Sequence, residues 1–201
     1  HDWRGLFAKN GRHPETRVEN YSEWGRRGGW SSSSGRGWAN LSNAPFRMYK
    51  RYTHEGGVAT PLIVHWPDGL KDQNTLRHSL GHIIDIAPTC LNAAGLSTKG
   101  MEGQTLLPVF TKDSTQPRTL FWEHEGNRAV RQGDYKLVAQ HNTPWELYNM
   151  RKDRNELHDL SRSMPQKAAE LKKLYEAWAH RVGAKPWDEV SIIRKKNPSK
   201  K

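Results

Sequence analysis

The chain has 201 residues, with 32 Lys and Arg against 21 Asp and Glu, a formal net charge of +11 and 34% hydrophobic residues. That length allows one medium domain or part of a larger one, and the single cysteine, Cys90, excludes an intrachain disulfide framework. No run approaches the roughly eighteen apolar residues of a membrane-spanning helix, and the charge, carried partly by the tail from Arg194 to Lys201, suits either a solvated surface or one that binds polyanions.

The chain starts His1-Asp2-Trp3, without an initiating Met or a signal peptide, and reads as incomplete. Residues 1–40 read as irregular: GRRGGWSSSSGRGW, from Gly25 to Trp38, has the period of neither a strand nor a helix. Such a segment fits an Arg/Gly-rich RNA-binding stretch or an excursion from a larger domain. Thr60 to Pro67, TPLIVHWP, is short, β-branched and bounded by prolines, which predicts a buried strand, and Asp68-Gly69 turns the chain after it. From Gly81 to Ala94 the apolar spacing predicts a helix that starts near Asp85, keeps Pro88 in its first turn and stops at Gly95. Cys90 falls inside this apolar run and is expected to be a buried structural thiol.

Four strands are expected next, at Thr119–Glu125, Arg128–Arg131, Tyr135–Ala139 and Trp145–Asn149. Tight turns, among them one at Gln132-Gly133-Asp134, make them an antiparallel sheet. Pro165 to Val182 is the clearest helix, with Leu171, Leu174, Trp178 and Val182 on one stripe, Ser163 as N-cap and Gly183 as stop. The stripe is expected to pack on one face of the sheet.

Chemistry concentrates in the loop that feeds TPLIVHWP. It holds Lys50, His54, Glu55 and the pair Gly56-Gly57, which permits a tight turn or close approach to a ligand. A lysine there is a compact cation suited to sulfate or phosphate. Taken alone, a loop lysine is ordinarily a solvated charge and a loop histidine ordinarily a bonded one.

This stretch resembles a signature of the sulfatases of the alkaline phosphatase superfamily, in which a Lys precedes Glu-Gly-Gly by five positions, as Lys50 precedes Glu55-Gly56-Gly57, and a strand like TPLIVHWP follows. Similar motifs occur in order: Gly37-Trp38-Ala39-Asn40, HIIDIAPTCLNAAG from His82, GQTLLPVF from Gly103, FWEHEGNRAVRQGDYKLV from Phe121 and WELYNMRKDRNELHDLS from Trp145. The resemblance implies an α/β to α+β fold: the last elements of the sulfatase α/β domain, then a small antiparallel four-stranded sheet packed on a C-terminal helix. The corresponding division is 1–40 irregular, 41–115 end of the large domain, 116–187 sheet and helix, and 188–201 basic tail.

The resemblance also implies arylsulfatase-type hydrolysis of sulfate esters by a formylglycine made within C/S-x-P-x-R, beside Ca²⁺ held by oxygen ligands. Lys50 matches the family's catalytic, sulfate-binding lysine, and His54 and His124 are candidate substrate-pocket residues. No C/S-x-P-x-R occurs in the 201 residues, so the chain alone is expected to be inactive. No metal ligand is assigned: at Lys9-Asn10-Gly11, the nearest match to the family's Asp-Asn-Gly element, a lysine stands where the acid should be. The expected partner is a sulfated small molecule or sulfated glycan, with no nucleic acid and no membrane span, in an exported protein. Two alternatives stay open: a related phosphatase, phosphodiesterase or phosphonate hydrolase, and a non-catalytic basic module that binds polyanions.

Overall fold

The structure, a computed structural model, describes residues 6–8, 30–32, 35–71, 74–113 and 118–196. Within the segment expected to be irregular, β1 (Leu6–Ala8) pairs antiparallel with β2 (Trp30–Ser32), and α1 spans Gly35–Ser42. The rest of that segment, including Asn10-Gly11 and most of the Gly/Ser/Arg stretch, lies outside the described residues. Helix α1 replaces expected coil. Its last turn is closed by side chains, since Ser42 Oγ donates to the Trp38 carbonyl at 2.8 Å and Asn43 Nδ2 to that of Ala39 at 2.6 Å.

The core is a four-stranded antiparallel meander of β3 (Thr119–His124), β4 (Asn127–Gln132), β5 (Tyr135–Ala139) and β6 (Glu146–Asn149), in that spatial order. Each strand follows its neighbour through a short connection, as the expected turns require. Glu125-Gly126 and Gly133-Asp134 make the two tight ones, with Glu125, Gly126 and Gly133 at φ of 51°, 81° and 58°. Alternation along the strands divides the sheet into two faces. Val130, Leu137 and Leu147 point to one, where α5 (Pro165–Val182) lays Leu171 and Tyr175 on them. Phe121 and Trp178 stack beside this core with ring centroids 5.0 Å apart. Ala129, Val138 and Tyr148 point to the other face, with Met150 and Trp122.

Helix α5 has the bounds its periodicity predicts and stops at Gly183, which takes the left-handed conformation at φ 69°. Two details differ. Met164, not Ser163, stands at the N-cap, because the Ser163 hydroxyl donates to the Leu160 carbonyl instead. Tyr175 rather than Val182 completes the buried stripe; Val182 is 45% exposed because the helix end runs past the sheet.

Residues before the sheet are fastened to it rather than layered into a second core. A single 3₁₀ turn (Ile83–Asp85) leads into α3 (Ile86–Ala93), which ends ahead of Gly95 at φ 73°, as expected. Asp85 is fully buried and receives both Arg118 guanidinium nitrogens, at 2.6 and 2.9 Å, together with the His82 and Gln104 backbone N–H groups. Burial works against its charge, yet these donors hold its pKa below the ordinary value of 3.8. Cys90 is exposed, which corrects the buried thiol expected there: Pro88, not Cys90, turns inward. The TPLIVHWP stretch is likewise exposed coil, with Ile63 90% accessible, and not a buried strand. A strand needs ladder partners, and among the described residues none pairs with it.

Helix α2 (Glu55–Val58) is a single turn, α4 spans Leu107–Thr111, and α6 (Trp187–Lys196) forms where a basic tail was expected, with Asp188 and Glu189 in its first turn, where acids suit the helix dipole. No helix among the described residues is long and apolar enough to cross a membrane.

Candidate functional site

The second face of the sheet is covered by the loop from Phe46 through α2, the loop that carries Lys50. Its path is compact because Gly56 and Gly57 lie directly under backbone carbonyls. A Cβ on Gly56 would collide with the Met48 and Arg47 oxygens, and one on Gly57 with the Tyr52 oxygen. Met48 and Arg51, on either side of Lys50, have φ of 65° and 96°, a region L-residues avoid. Such strain persists only where surrounding contacts over-determine the backbone.

Those contacts are mostly charged. His54 Nε2 lies 3.0 Å from Glu146 Oε2 on β6, and the Tyr148 hydroxyl donates to the same oxygen at 2.8 Å. Arg47 Nη1 donates to the Tyr148 hydroxyl at 2.8 Å and to the Glu156 carbonyl at 2.6 Å. The hydrogen bond from His54 leads the effects that hold the Glu146 carboxyl below its ordinary 4.5. Burial and the adjacent Glu146 carboxylate push the Tyr148 phenol well above its usual range. Glu55, at the start of α2, receives Lys136 Nζ at 2.9 Å and Arg154 Nε at 3.3 Å. Lys136 also meets Glu156 Oε1 at 2.8 Å, and Glu156 Oε2 accepts the Glu55 backbone N–H at 2.9 Å. Burial opposes the Glu55 charge most strongly, but Lys136, with Arg131 and Arg154, holds the pKa below 4.5.

The three candidate residues occupy different settings. Lys50 is exposed at the tip of the loop. His124 is exposed at the end of β3. An ion pair of 2.8 Å between Arg51 and Glu125 clasps the residue after Lys50 to the residue after His124, so their two segments run together. His54 is fully buried and faces Glu146. A side chain without accessible surface touches no substrate in this conformation, so its place is beneath the loop rather than in a pocket wall. An exposed lysine can neutralise a tetrahedral oxyanion and an exposed imidazole can offer a proton, and the Arg51–Glu125 pair ties together the segments that carry the two.

Sequence reasoning missed the ionic base of this site: Lys136, Glu146, Arg154 and Glu156. One signal was available. In Tyr135-Lys-Leu-Val-Ala, strand alternation puts Lys136, the one charged residue in an otherwise apolar strand, in phase with Val138. Among the described residues no group of three or more His, Cys, Asp or Glu side chains could hold a metal ion. The expected Ca²⁺ therefore has no ligand set in the described part of this chain, and no step is assigned to it.

The model of the domain described as N-sulphoglucosamine sulphohydrolase, C-terminal, matches residues 46–180. The chain is 30% identical over 158 residues to an uncharacterized sulfatase of Schizosaccharomyces pombe, covering 70% of this chain and 28% of that protein. It is 38% identical over 100 residues to the N-acetylgalactosamine-6-sulfatase of Mus musculus, covering 47% of this chain and 19% of that protein. The crystal structure of Ps i-CgsB superposes with a TM-score of 0.58 at 25% identity, over 67% of this chain and 32% of that one. The chain thus spans less than a third of the length of each of these proteins.

Proposed function

The chain belongs to the sulfatase family, whose C-terminal domain it carries, and from that premise we propose that it serves the hydrolysis of sulfate esters on sugars, as the part of an enzyme that supplies a sulfate-binding lysine. The observation that carries this reading is the loop itself. Lys50 is presented to solvent by a strained, glycine-dependent turn whose underside is bolted to the C-terminal sheet. A freely solvated lysine needs no such support. In the proposed role its ammonium neutralises the sulfate oxygens as charge develops on them, and His124 lies on the adjoining segment, placed to hold a proton near the leaving oxygen. His54 holds the loop from below through Glu146.

The relatives' names support one substrate class. The matched domain is named for a sulphoglucosamine and the mouse relative for a 6-sulfated N-acetylgalactosamine. A sulfated amino sugar, free or within a glycan, is accordingly the proposed substrate, ahead of a simple aryl sulfate. Formylglycine and Ca²⁺ belong to the same proposal as contributions from outside the described residues, as does export of the protein. The 201 residues contain no C/S-x-P-x-R, so the isolated chain is expected to turn over no sulfate ester.

The test is Lys50→Ala in the protein expressed from its complete reading frame, assayed on N-acetylgalactosamine 6-sulfate and on an aryl sulfate. Loss of one preorganised oxyanion partner should lower kcat/KM by about 10²–10³-fold. A wild-type protein that releases sulfate from neither compound, or a variant as active as wild type, would overturn the reading.

A further inference from the structure

We infer that Lys136 is the positioning residue of this site: the buried cation on β5 that holds the Lys50 loop in its working conformation. The inference rests on the role proposed above for Lys50, but its geometry stands apart from that role. Among the described residues Lys136 is the one Lys or Arg that is fully buried. It emerges from an otherwise apolar strand, and its ammonium spans two buried carboxylates, Glu55 on the loop side at 2.9 Å and Glu156 on the sheet side at 2.8 Å.

Stability does not account for a lysine here. Replacing a buried ionic cluster by apolar side chains of similar volume is often neutral or stabilising, because desolvation offsets the Coulomb attraction. What such a cluster does provide is register: only one placement of Glu55 satisfies the ammonium. The backbone around Lys50 needs that constraint, with φ of 65° at Met48 and 96° at Arg51, while Glu156 itself sits at 58°. The His54–Glu146 pair and the Arg47 hydrogen bonds secure the loop at a second point, and two further clasps are weaker. In the Arg51–Glu125 pair the side chains are 49% and 27% exposed, and in the Arg154–Glu55 pair Arg154 is 57% exposed, so water screens both. Arg131, paired across the strands with Lys136, adds positive potential toward Glu55. Lys136, Arg131 and Arg154 thus draw the loop's carboxylate to one spot, while the Glu156 carboxylate on the other side of the ammonium accepts the Glu55 backbone N–H.

Two variants separate this role from general support of the fold. Glu55→Gln removes the loop-side partner and leaves the Lys136–Glu156 pair in the sheet. In the 201-residue chain, amide hydrogen exchange across residues 47–58 should quicken by about tenfold or more, while exchange in β4 and β5 stays at the wild-type rate. Lys136→Met together with Glu55→Gln and Glu156→Gln removes the ammonium without leaving a buried carboxylate unpaired, and should show the same selective loosening at a melting temperature close to that of the wild type. In the complete enzyme these variants should lose kcat by about 10–100-fold on N-acetylgalactosamine 6-sulfate with KM changed much less. Unchanged exchange across 47–58 in Glu55→Gln overturns the inference whatever the enzyme assay gives. Selective loosening in a protein whose wild type releases no sulfate leaves the inference standing and removes the sulfatase reading instead. Uniform loosening of loop and strands alike makes the cluster a support of the whole fold and also overturns it.

Discussion

At the scale of single residues the site depends on what cannot be added. Gly57 sits so close beneath the Tyr52 carbonyl that a methyl group has no room, and the obstacle is backbone, which cannot rotate away as a side chain would. Gly57→Ala should therefore destabilise the chain by about 1–3 kcal/mol, read from urea unfolding, and should speed exchange in 47–58 most. Gly183→Ala makes the contrast. There a Cβ meets nothing, and only the left-handed φ of 69° opposes it, at roughly 1–2 kcal/mol and without effect on the Lys50 loop. An equal loosening of the loop in both variants would remove the steric account. The sequence marked Gly56-Gly57 well, because a double glycine announces a backbone need wherever it falls. It did not mark Lys136 or Glu156, since an ion pair between residues far apart in the chain leaves no local pattern. It also misread His54 and Cys90, whose burial is decided by the turn each occupies and not by neighbours in sequence.

At the scale of elements, the sheet and α5 were legible because each carries its own period. Two-residue alternation gives strands with two faces, and a helical stripe must cover one of them. The stripe nevertheless has an end, which sequence periodicity does not show. Leu171 is fully buried over Val130, Leu137 and Leu147, whereas Val182 lies beyond the sheet. Leu171→Ala should cost about 2–5 kcal/mol, and Val182→Ala should stay within about 0.5 kcal/mol, both by denaturant melts. Equal losses would mean that the helix packs along its whole length. The strand expected at Thr60–Pro67 failed for a different reason. Apolar content and β-branching state that a segment can pair, but pairing needs a neighbour, and among the described residues no strand pairs with it. Its exposed Leu62, Ile63 and Trp66 remain apolar surface that the described fold does not cover.

At the scale of the molecule, two kinds of cohesion meet at the sheet. Its α5 face is held by apolar packing. Its other face, and the join to α3, are held by carboxylates: Glu55 against Lys136, Glu146 against His54, and Asp85 against Arg118. Each of these three acids has its pKa below the ordinary value, 4.5 for the glutamates and 3.8 for the aspartate. A depressed pKa means that the folded state binds its proton less readily than the unfolded one. The stabilisation is thus complete above the ordinary value and drains away as pH falls through the lowered one. From neutral pH to about pH 5 these contacts should hold. Below pH 4.5 the loop should come away, and below 3.8 α3 as well, while the sheet–α5 core, whose buried residues do not titrate there, stays folded. Acid titration followed by amide NMR should give a first transition confined to 46–113 and a second at lower pH in 118–182. Glu55→Gln and Glu146→Gln together, which remove two of the three titrating groups, should flatten the first transition and leave the second in place. One transition shared by every amide would show that the charged and apolar faces fold as a single unit, and the division of labour between them would fall.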